Sequence, residues 1–184
     1  MKFLSYDCIE EKECETEIKN ADLDTSRQFV QTWTPDYLTR LLKDPNFSYG
    51  FFEWDKIIKS SYILGFNWRC FGAFTNNRLD GLLCLSINSI LKIEFIATAP
   101  WNYYINGRMR RIGSGLIFFT IQTSINHGRG GEFLLYSLPD AEKFYEDIGM
   151  EATGNMSDFG PKEYKMPKAK AESFFDNFKK YIIN

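Results

Sequence analysis

Residues 93–125 limit what this chain can fold into more than any other stretch of the sequence. An apolar strand pattern ends at Ala99-Pro100, a polar loop follows, and Gly113-Ser114-Gly115 then leads into an apolar helix pattern. The first amides of a helix have no acceptor within it, and glycines let a backbone approach a ligand closely. Such a turn can present several N–H groups to one anion, so we expect a phosphate-like ligand here.

Strand and helix patterns alternate on both sides of this turn. Two apolar runs separated by Asn76-Asn77-Arg78 predict an antiparallel hairpin, because a short polar segment of this kind forms a tight turn. Leu91–Thr98 predicts the next strand, since apolar residues alternate along it and Pro100 cannot donate to a ladder. The predicted elements are the strands 69–75, 79–88 and 91–98, the helix 114–126, the strand 132–137, the helix 139–148, the strand 163–166 and the helix 169–183.

The N-terminal part of the chain gives fewer signals. Residues 1–7 predict a first strand, whereas residues 10–24 are strongly acidic and predict an exposed connection or the polar start of a helix. Thr34-Pro35-Asp36 predicts a helix start, because Thr34 can cap, Pro35 fits the first helical position and Asp36 complements the helix dipole. A further helix, ending near Ser60-Ser61, is predicted from the spacing of Phe51, Trp54, Ile57 and Ile58.

Composition and charge restrict the class of partner. The chain has 184 residues, of which 44% are hydrophobic and 17% aromatic, which is typical of one domain with a well-filled core. Its formal net charge is -2. Nucleic-acid-binding proteins usually carry a basic footprint, whereas the densest basic cluster here is Arg108, Arg110 and Arg111. We therefore expect a small phosphorylated ligand and no nucleic acid.

The cysteines and the histidine do not form a recognisable catalytic or metal motif. The spacing of the four cysteines, Cys8, Cys14, Cys70 and Cys84, is not that of a metal site, so we expect no metal. Cys70 and Cys84 lie in apolar strand patterns, and we expect both to be buried thiols. His127 lies at a Gly-rich helix end, and the sequence shows no Ser/His/Asp or Cys/His arrangement for covalent catalysis. Without a signal-peptide pattern or an apolar run of about 20 residues, we expect a cytoplasmic protein with no membrane partner.

Two motifs and their spacing resemble a known family. Arg110-x-x-Gly113-x-Gly115 is similar to the Gln/Arg-x-x-Gly-x-Gly/Ala acyl-CoA signature of the GNAT superfamily of N-acetyltransferases. The later run Ala-x-x-Phe-Tyr-x-x-x-Gly-Met, which contains Tyr145, looks like the family's late helix motif. One predicted helix and one predicted strand separate the motifs, as in that family. The resemblance covers residues 71–166, while residues 1–60 match only in supplying helices where the family has variable substrate-side helices.

The resemblance implies a fold and an activity. The fold is a single α/β (α+β) domain over residues 1–184, with a mixed, mostly antiparallel central sheet and helices on both faces. The activity is direct transfer of an acetyl group from acetyl-CoA to a primary amine of a small molecule or protein, by a monomer or homodimer. The residues assigned to coenzyme A are Ile96, Ala97 and Thr98 on the strand and Arg110, Arg111, Ile112, Gly113, Ser114 and Gly115 at the turn.

The resemblance also implies catalytic roles. Tyr145 matches the family's usual tyrosine, which protonates or hydrogen-bonds the leaving thiolate. Glu94 lies on the strand that faces the acyl group in the family and is the candidate general base, with an outward, solvated glutamate as the alternative. Leu138 departs from the family, which often has Asn at this position. The 100–108 loop is longer than in many members, and it either shapes the acceptor cleft or packs as a surface loop.

Three other functions stay open. The first is a non-catalytic acyl-CoA-binding sensor or interaction module. The second is a structural domain in which the glycines serve only packing. The third is a toxin of the same family that acetylates aminoacyl-tRNA, which the net negative charge disfavours.

Overall fold

Ten strands form one sheet in the part of the chain that the computed structural model describes, namely residues 1–43, 52–64, 67–102 and 107–183. They are β1 (Lys2–Asp7), β2 (Lys12–Asn20), β3 (Trp68–Thr75), β4 (Arg78–Ile87), β5 (Leu91–Thr98), β6 (Met109–Arg110), β7 (Phe133–Ser137), β8 (Glu151–Met156), β9 (Lys162–Met166) and β10 (Ile182–Ile183). Their order is β10-β1-β2-β3-β4-β5-β7-β9-β8, with β6 paired to β1. The β5–β7 pairing is parallel and the others are antiparallel, which confirms the predicted mixed sheet.

Helices lie on both faces of this sheet, as predicted. They are α1 (Leu23–Gln28), α2 (Thr34–Lys43), α3 (Trp54–Leu64), α4 (Ile112–Asn126), α5 (Glu142–Asp147) and α6 (Lys168–Lys179), with a π-helical turn at Phe29–Trp33 and 3-10 turns at Pro100–Asn102 and Pro139–Ala141. One hydrophobic core joins the sheet to α4 and α6. A second core joins the opposite face to the segment that runs from α1 to α3.

The α4 helix is apolar nearly all round, because it lies between the sheet and another helix. Leu116 is fully buried. Phe118 stacks on Phe175 of α6 with ring centroids 4.6 Å apart, and Phe119 lies 4.7 Å from the ring of Phe71 on β3. A helix without a polar face is expected where both sides are covered. This packing fixes where the N-terminus of α4 meets the sheet.

The opposite core is built largely from tryptophans. Trp33 and Trp54 are each only 1% exposed. The indole N–H of Trp33 donates to the Leu79 carbonyl at 2.8 Å, so burial leaves this donor satisfied. The ring of Trp54 lies 6.2 Å from that of Phe95 on β5. These contacts place the α1–α3 segment over one side of β5.

The predicted hairpin between β3 and β4 is confirmed. Asn76 and Asn77 have φ of 50° and 62°. A two-residue type I′ turn requires positive φ at both central residues, and asparagine tolerates this conformation better than most residues. The turn joins Thr75 directly to its partner Arg78.

The prediction for residues 10–24 is wrong, because β2 occupies most of this segment. Cys14, Thr16 and Ile18 are buried while the intervening glutamates are more exposed, so the strand does alternate. The alternation is hard to see in the sequence because Cys and Thr, rather than large apolar residues, fill inward positions. The Thr16 hydroxyl donates to the Ser5 hydroxyl at 2.7 Å, and it lies 2.7 Å from the Thr75 hydroxyl. Residues 1–60 thus supply two strands as well as helices.

The predicted helix start at Thr34 coincides with the first residue of α2. Thr34 nevertheless has helical dihedral angles and does not cap the helix, because the helical segment begins with α1 and runs through the π-helical turn directly into it. Asp22 caps the start: its carboxylate accepts from the Thr25 N–H at 2.8 Å, and the Thr25 hydroxyl accepts from the Asp22 N–H at 3.1 Å. The π-helical turn immediately precedes Thr34 and Pro35. A proline within a helix lacks an N–H and clashes with the preceding turn, and a widened turn here accommodates its ring.

Three features near the C-terminus also differ from the predictions. The helix predicted over 139–148 is a 3-10 turn followed by the short α5, and the C-terminal helix ends at Lys179 before β10 pairs with β1. The edge strand β8 was not predicted, because all its residues are exposed and show no alternation.

Phe51 and residues 103–106 of the predicted 100–108 loop lie outside the described residues.

Candidate active site

The sheet opens between β5 and β7, where their parallel pairing ends. The register joins Lys92 to Leu134 and Ile93 to Leu135, whereas β5 continues to Thr98. Two parallel strands that diverge leave a wedge, in which backbone groups of one strand face open space rather than the other strand. A cleft of about 580 Å³ lies in this wedge.

A β-bulge at Glu94 lies just beyond the last pair with β7. On the other edge of β5, Leu85 pairs with Ile93 and Cys84 pairs with Phe95, so Glu94 is the extra residue. A bulge re-aims the side chains that follow it. Ile93 accordingly belongs to the α4 core and Phe95 to the α1–α3 core. At the mouth of the cleft, β5 therefore changes which of its side chains point to each face of the sheet.

Most of the predicted site residues meet in this cleft. Those that line it are Glu94, Ile96, Ala97, Thr98, Arg111, Ile112, Gly113, Ser114 and Tyr145. They come from β5, from the N-terminus of α4 and from α5, which are far apart in the sequence. Arg110 and Gly115 are not part of the lining.

The N-terminus of α4 points its first amides at the cleft. Arg111 precedes the helix with φ 71° and makes no side-chain cap. The Gly115 N–H donates to the Arg111 carbonyl at 2.8 Å, so the amides of Ile112, Gly113 and Ser114 come before the intrahelical ladder begins. A Cβ on Gly113 would lie 3.7 Å from the Thr98 methyl group, so its absence keeps this part of the cleft open.

Gly115 lies where the packing of α4 requires a residue without a Cβ. A Cβ at this position would lie 2.4 Å from the ring of Phe3, which is fully buried on β1. The glycine therefore lets α4 approach the sheet. Arg110 lies in β6, where it pairs with Tyr6 and is exposed.

The basic cluster is largely balanced by nearby carboxylates. The Arg111 guanidinium donates to Glu13 at 2.9 Å and lies 4.0 Å above the ring of Tyr181. Arg108 donates to Asp7 at 3.2 Å. Burial opposes ionisation of Asp7, but hydrogen bonds from the following amides and from Arg108 hold the pKa of its carboxyl below the ordinary value. The positive potential in the cleft thus comes chiefly from the helix amides.

Tyr145 reaches the cleft from α5 and is 6% exposed. Its ring lies 5.3 Å from that of Phe144 and 6.2 Å from that of Tyr164. Tyr164 is not part of the cleft lining, and its hydroxyl donates to Glu146 at 3.0 Å. Burial and this hydrogen bond raise the pKa of Tyr164 to about 12. Aromatic packing therefore fixes the orientation of Tyr145.

Glu94 is neither fully solvated nor fully buried, since its side chain is 18% exposed. Ser86 donates to one carboxylate oxygen at 2.6 Å, and the Lys92 ammonium lies 3.0 Å from the other. Behind it, Cys70 and Cys84 face each other across β3 and β4 as free thiols. Hydrogen bonding to Cys70, together with burial, raises the pKa of the Cys84 thiol, so this thiol is a poor nucleophile.

Several cleft residues carried too little sequence signal to be assigned. They are Phe52, Asn102, Tyr136, Leu138, Pro139 and Phe144. Asn102 was visible only as part of an unusual loop, and its side-chain oxygen accepts from the Met109 N–H at 2.8 Å. Leu138, at the position where the resembling family often has Asn, is 37% exposed. An aromatic or aliphatic residue in a loop looks like any packing residue until its neighbours are known.

Within the described ranges, no group of three or more His, Cys, Asp or Glu side chains is placed to hold a metal ion. Among the same residues, no helix combines the length and apolar character needed to cross a membrane.

The fold is similar to those of known acetyltransferases, although no protein-family model and no curated protein sequence matches the chain. The PaiA N-acetyltransferase of Thermoplasma acidophilum, solved with coenzyme A, superposes with a TM-score of 0.51 at 16% identity, over 82% of this chain and 97% of that one. The ribosomal-protein-S18-alanine N-acetyltransferase of Escherichia coli gives 0.53 at 12% identity, over 82% and 91%.

A third structure, Arabidopsis thaliana Naa50 with a bisubstrate analogue, gives a TM-score of 0.52 at 14% identity, over 83% of this chain and 98% of that one. At such low sequence identity the similarity concerns the fold alone. Each superposition covers more than nine tenths of the compared structure. The chain therefore has the GNAT fold, the fold of a large family of N-acetyltransferases.

Proposed function

We propose that this protein is an N-acetyltransferase that moves an acetyl group from acetyl-CoA directly to a primary amine of a small molecule or protein. One observation carries the proposal: the diverging edge of β5 and the uncapped N-terminus of α4 line a single cleft in a chain with the GNAT fold. The first supplies hydrogen-bonding backbone for an extended arm, and the second supplies amides for an anion. Coenzyme A has both parts.

The residues present suit this ligand. The backbone of Ile96, Ala97 and Thr98 lies beyond the last pair with β7 and is the edge on which the pantetheine arm would bind. The amides of Ile112, Gly113 and Ser114 would hold the pyrophosphate, and Gly113 leaves room for it. Arg111, which lines the cleft, and Arg110, which is exposed on β6, would add positive charge near the pyrophosphate, and Gly115 lets α4 pack closely on β1.

Acetyl-CoA supplies an activated acyl thioester, and the chain has to provide proton transfer on both sides of it. An alkylammonium of pKa about 10.4 is rarely neutral at pH 7, which costs roughly 4–5 kcal/mol. Glu94, on the acceptor side of β5, accepts the proton that the amine loses as the new C–N bond forms. Tyr145 donates a hydrogen bond to the sulfur as the C–S bond breaks.

A first experiment tests whether the protein binds acetyl-CoA at the N-terminus of α4. Isothermal titration calorimetry with acetyl-CoA is expected to show binding, and Gly113→Asp is expected to weaken it more than about a hundredfold, since like charges in contact cost several kcal/mol. Ser89→Asp is the matched control, because it adds the same charge in the exposed turn at the other end of β5. Undetectable binding at about 1 mM acetyl-CoA would contradict the proposal.

A second candidate is a non-catalytic acyl-CoA sensor. It is favoured by the engagement of both Glu94 carboxylate oxygens, one by Ser86 and one by Lys92. It predicts acetyl-CoA binding of the same strength but no release of free CoA thiol with any amine offered. A thiol-release assay with a panel of amines distinguishes the two functions.

A further inference from the structure

The cleft has a second wall that the cofactor residues do not use. The bulge at Glu94 places this residue and Phe95 on the face of the sheet that carries the α1–α3 core. Across the opening, Phe133 and Leu135 of β7 face the α4 core, so the alternating Tyr136 lies on the same face as Glu94. An amine that approaches the thioester from the side opposite α4 meets this wall.

Three aromatic rings line this wall with Glu94. They belong to Phe52, Phe95 and Tyr136. Phe52 and Phe95 have ring centroids 5.3 Å apart and meet edge to face. Trp54 lies 6.2 Å from each of them, and Trp68 lies 6.0 Å from Phe95. The two phenylalanines are therefore held by buried aromatic packing and offer a preformed apolar surface to a ligand.

The wall carries charges of both signs. Lys92 lies 3.0 Å from the carboxylate of Glu94. Asp140 lines the cleft at the turn after β7, and Glu163 pairs with Tyr136 across β7 and β9. The Lys92 ammonium also lies 4.8 Å from the centre of the Tyr136 ring. A polycationic amine with one nitrogen beside Glu94 would place its charge next to the Lys92 ammonium. A neighbouring cation disfavours the charged form of an incoming amine, which favours the neutral form that reacts.

We infer that the acceptor is a primary amine carried on an aromatic or similarly apolar group, which packs against Phe52, Phe95 and Tyr136 with its nitrogen beside Glu94. The inference rests on the proposed acetyltransfer and narrows its acceptor. It excludes polyamines and amino sugars as the preferred class, because their further charges and hydroxyls would lose water against the rings without gaining partners.

The test compares two amines in the thiol-release assay at saturating acetyl-CoA. We expect kcat/KM for 2-phenylethylamine to exceed that for putrescine by at least about tenfold, the size of effect that one well-packed ring gives. A preference for putrescine would overturn the inferred acceptor class while leaving acetyltransfer intact. Acetyl-CoA binding with no acetylation of either amine, or of any amine in a wider panel, would overturn acetyltransfer and the acceptor class together.

Variants locate the acceptor on the wall. Phe52→Ala is expected to raise KM for 2-phenylethylamine about tenfold and to leave KM for acetyl-CoA within about twofold, because Phe52 packs on Trp54 and Phe95 in the α1–α3 core rather than in the α4 core. Phe52→Leu keeps an apolar side chain and is expected to recover part of the loss. Phe159→Ala removes a phenylalanine that is 95% exposed and is the matched control. If Phe52→Ala raises KM for acetyl-CoA as much as for the amine, the inferred position is wrong.

Discussion

At the scale of single residues, the two glycines of the signature, Gly113 and Gly115, have different surroundings. Gly113 lines the cleft, whereas Gly115 lies against Phe3 and lets α4 approach β1. The sequence pattern singles out both positions, but the packing excludes a Cβ only at Gly115, since one at Gly113 would lie 3.7 Å from Thr98. It could not separate their purposes, since this depends on a side chain from the other end of the chain.

Tyr145→Phe tests the proposed role of the hydroxyl. The ring contacts with Phe144 and Tyr164 survive this change, so the fold is expected to be unaffected. We expect kcat to fall about a hundredfold, the usual effect of losing a positioned proton donor, with KM for acetyl-CoA unchanged. Steady-state kinetics by thiol release measures this.

The control for this variant is Tyr62→Phe. The Tyr62 hydroxyl donates to the Ala21 carbonyl at 3.0 Å, outside the cleft, so its loss is expected to leave kcat unchanged. Equal kcat values for Tyr145→Phe and the wild type would contradict the assignment of the Tyr145 hydroxyl to the leaving sulfur.

At the scale of elements, the motif-bearing half of the chain was more predictable than the N-terminal half, where β1 and α3 were predicted but β2 was missed. The hairpin, β5 and α4 follow from clear periodicities bounded by Asn-Asn, Pro and Gly residues. β2 carries Cys and Thr at inward positions, so its period is masked, and Thr34 has the sequence of a cap but lies within a continuous helix. In both places tertiary packing overrides the local signal.

Asp80 links β4 to the turn that follows β5. Its carboxylate is fully buried and accepts from Arg78 at 2.9 and 3.1 Å and from the Trp101 indole at 2.8 Å. Its carbonyl accepts from the Ala99 N–H at 2.9 Å. This single residue therefore ties β4 to the turn that carries Asn102 into the cleft lining.

Asp80→Ala is expected to destabilise the protein by about 3 kcal/mol, because removing one member of a buried ion pair leaves its partners unsatisfied. Urea unfolding followed by circular dichroism measures this. Asp36→Ala breaks an ion pair with Arg40 whose side chains are 33% and 22% exposed, and it is expected to cost less than about 1 kcal/mol. Similar losses for the two variants would show that Asp80 does not hold the turn.

At the scale of the whole molecule, the sheet separates two cores that serve the two halves of the proposed reaction. The α4 core carries Ile112 and Tyr145 on the cofactor side, and the α1–α3 core carries Phe95 on the acceptor side. The bulge at Glu94 is where one strand passes from the first core to the second. A bulge inserts a residue without changing the composition of a strand, so the sequence could not reveal it.

Tyr164 is expected to make the stability of the whole molecule depend on pH in the alkaline range. It lies in the α4 core, and its pKa is raised to about 12 by burial and by its bond to Glu146, whereas an unfolded tyrosine has a pKa near 10. A raised folded pKa contributes stability that is complete below the unfolded value and is lost as pH rises through the folded one. We therefore expect the free energy of unfolding to decline between about pH 10 and pH 12.

Tyr164→Phe removes the titrating hydroxyl and keeps the ring in its packing. The variant is expected to be less stable than the wild type at pH 8, because Glu146 loses a donor, and its stability is expected to fall less between pH 10 and pH 12. Urea unfolding at a series of pH values, followed by circular dichroism, gives both curves. Parallel curves for the two proteins over this range would show that the Tyr164 proton does not contribute to alkaline stability, and would locate the decline in other groups.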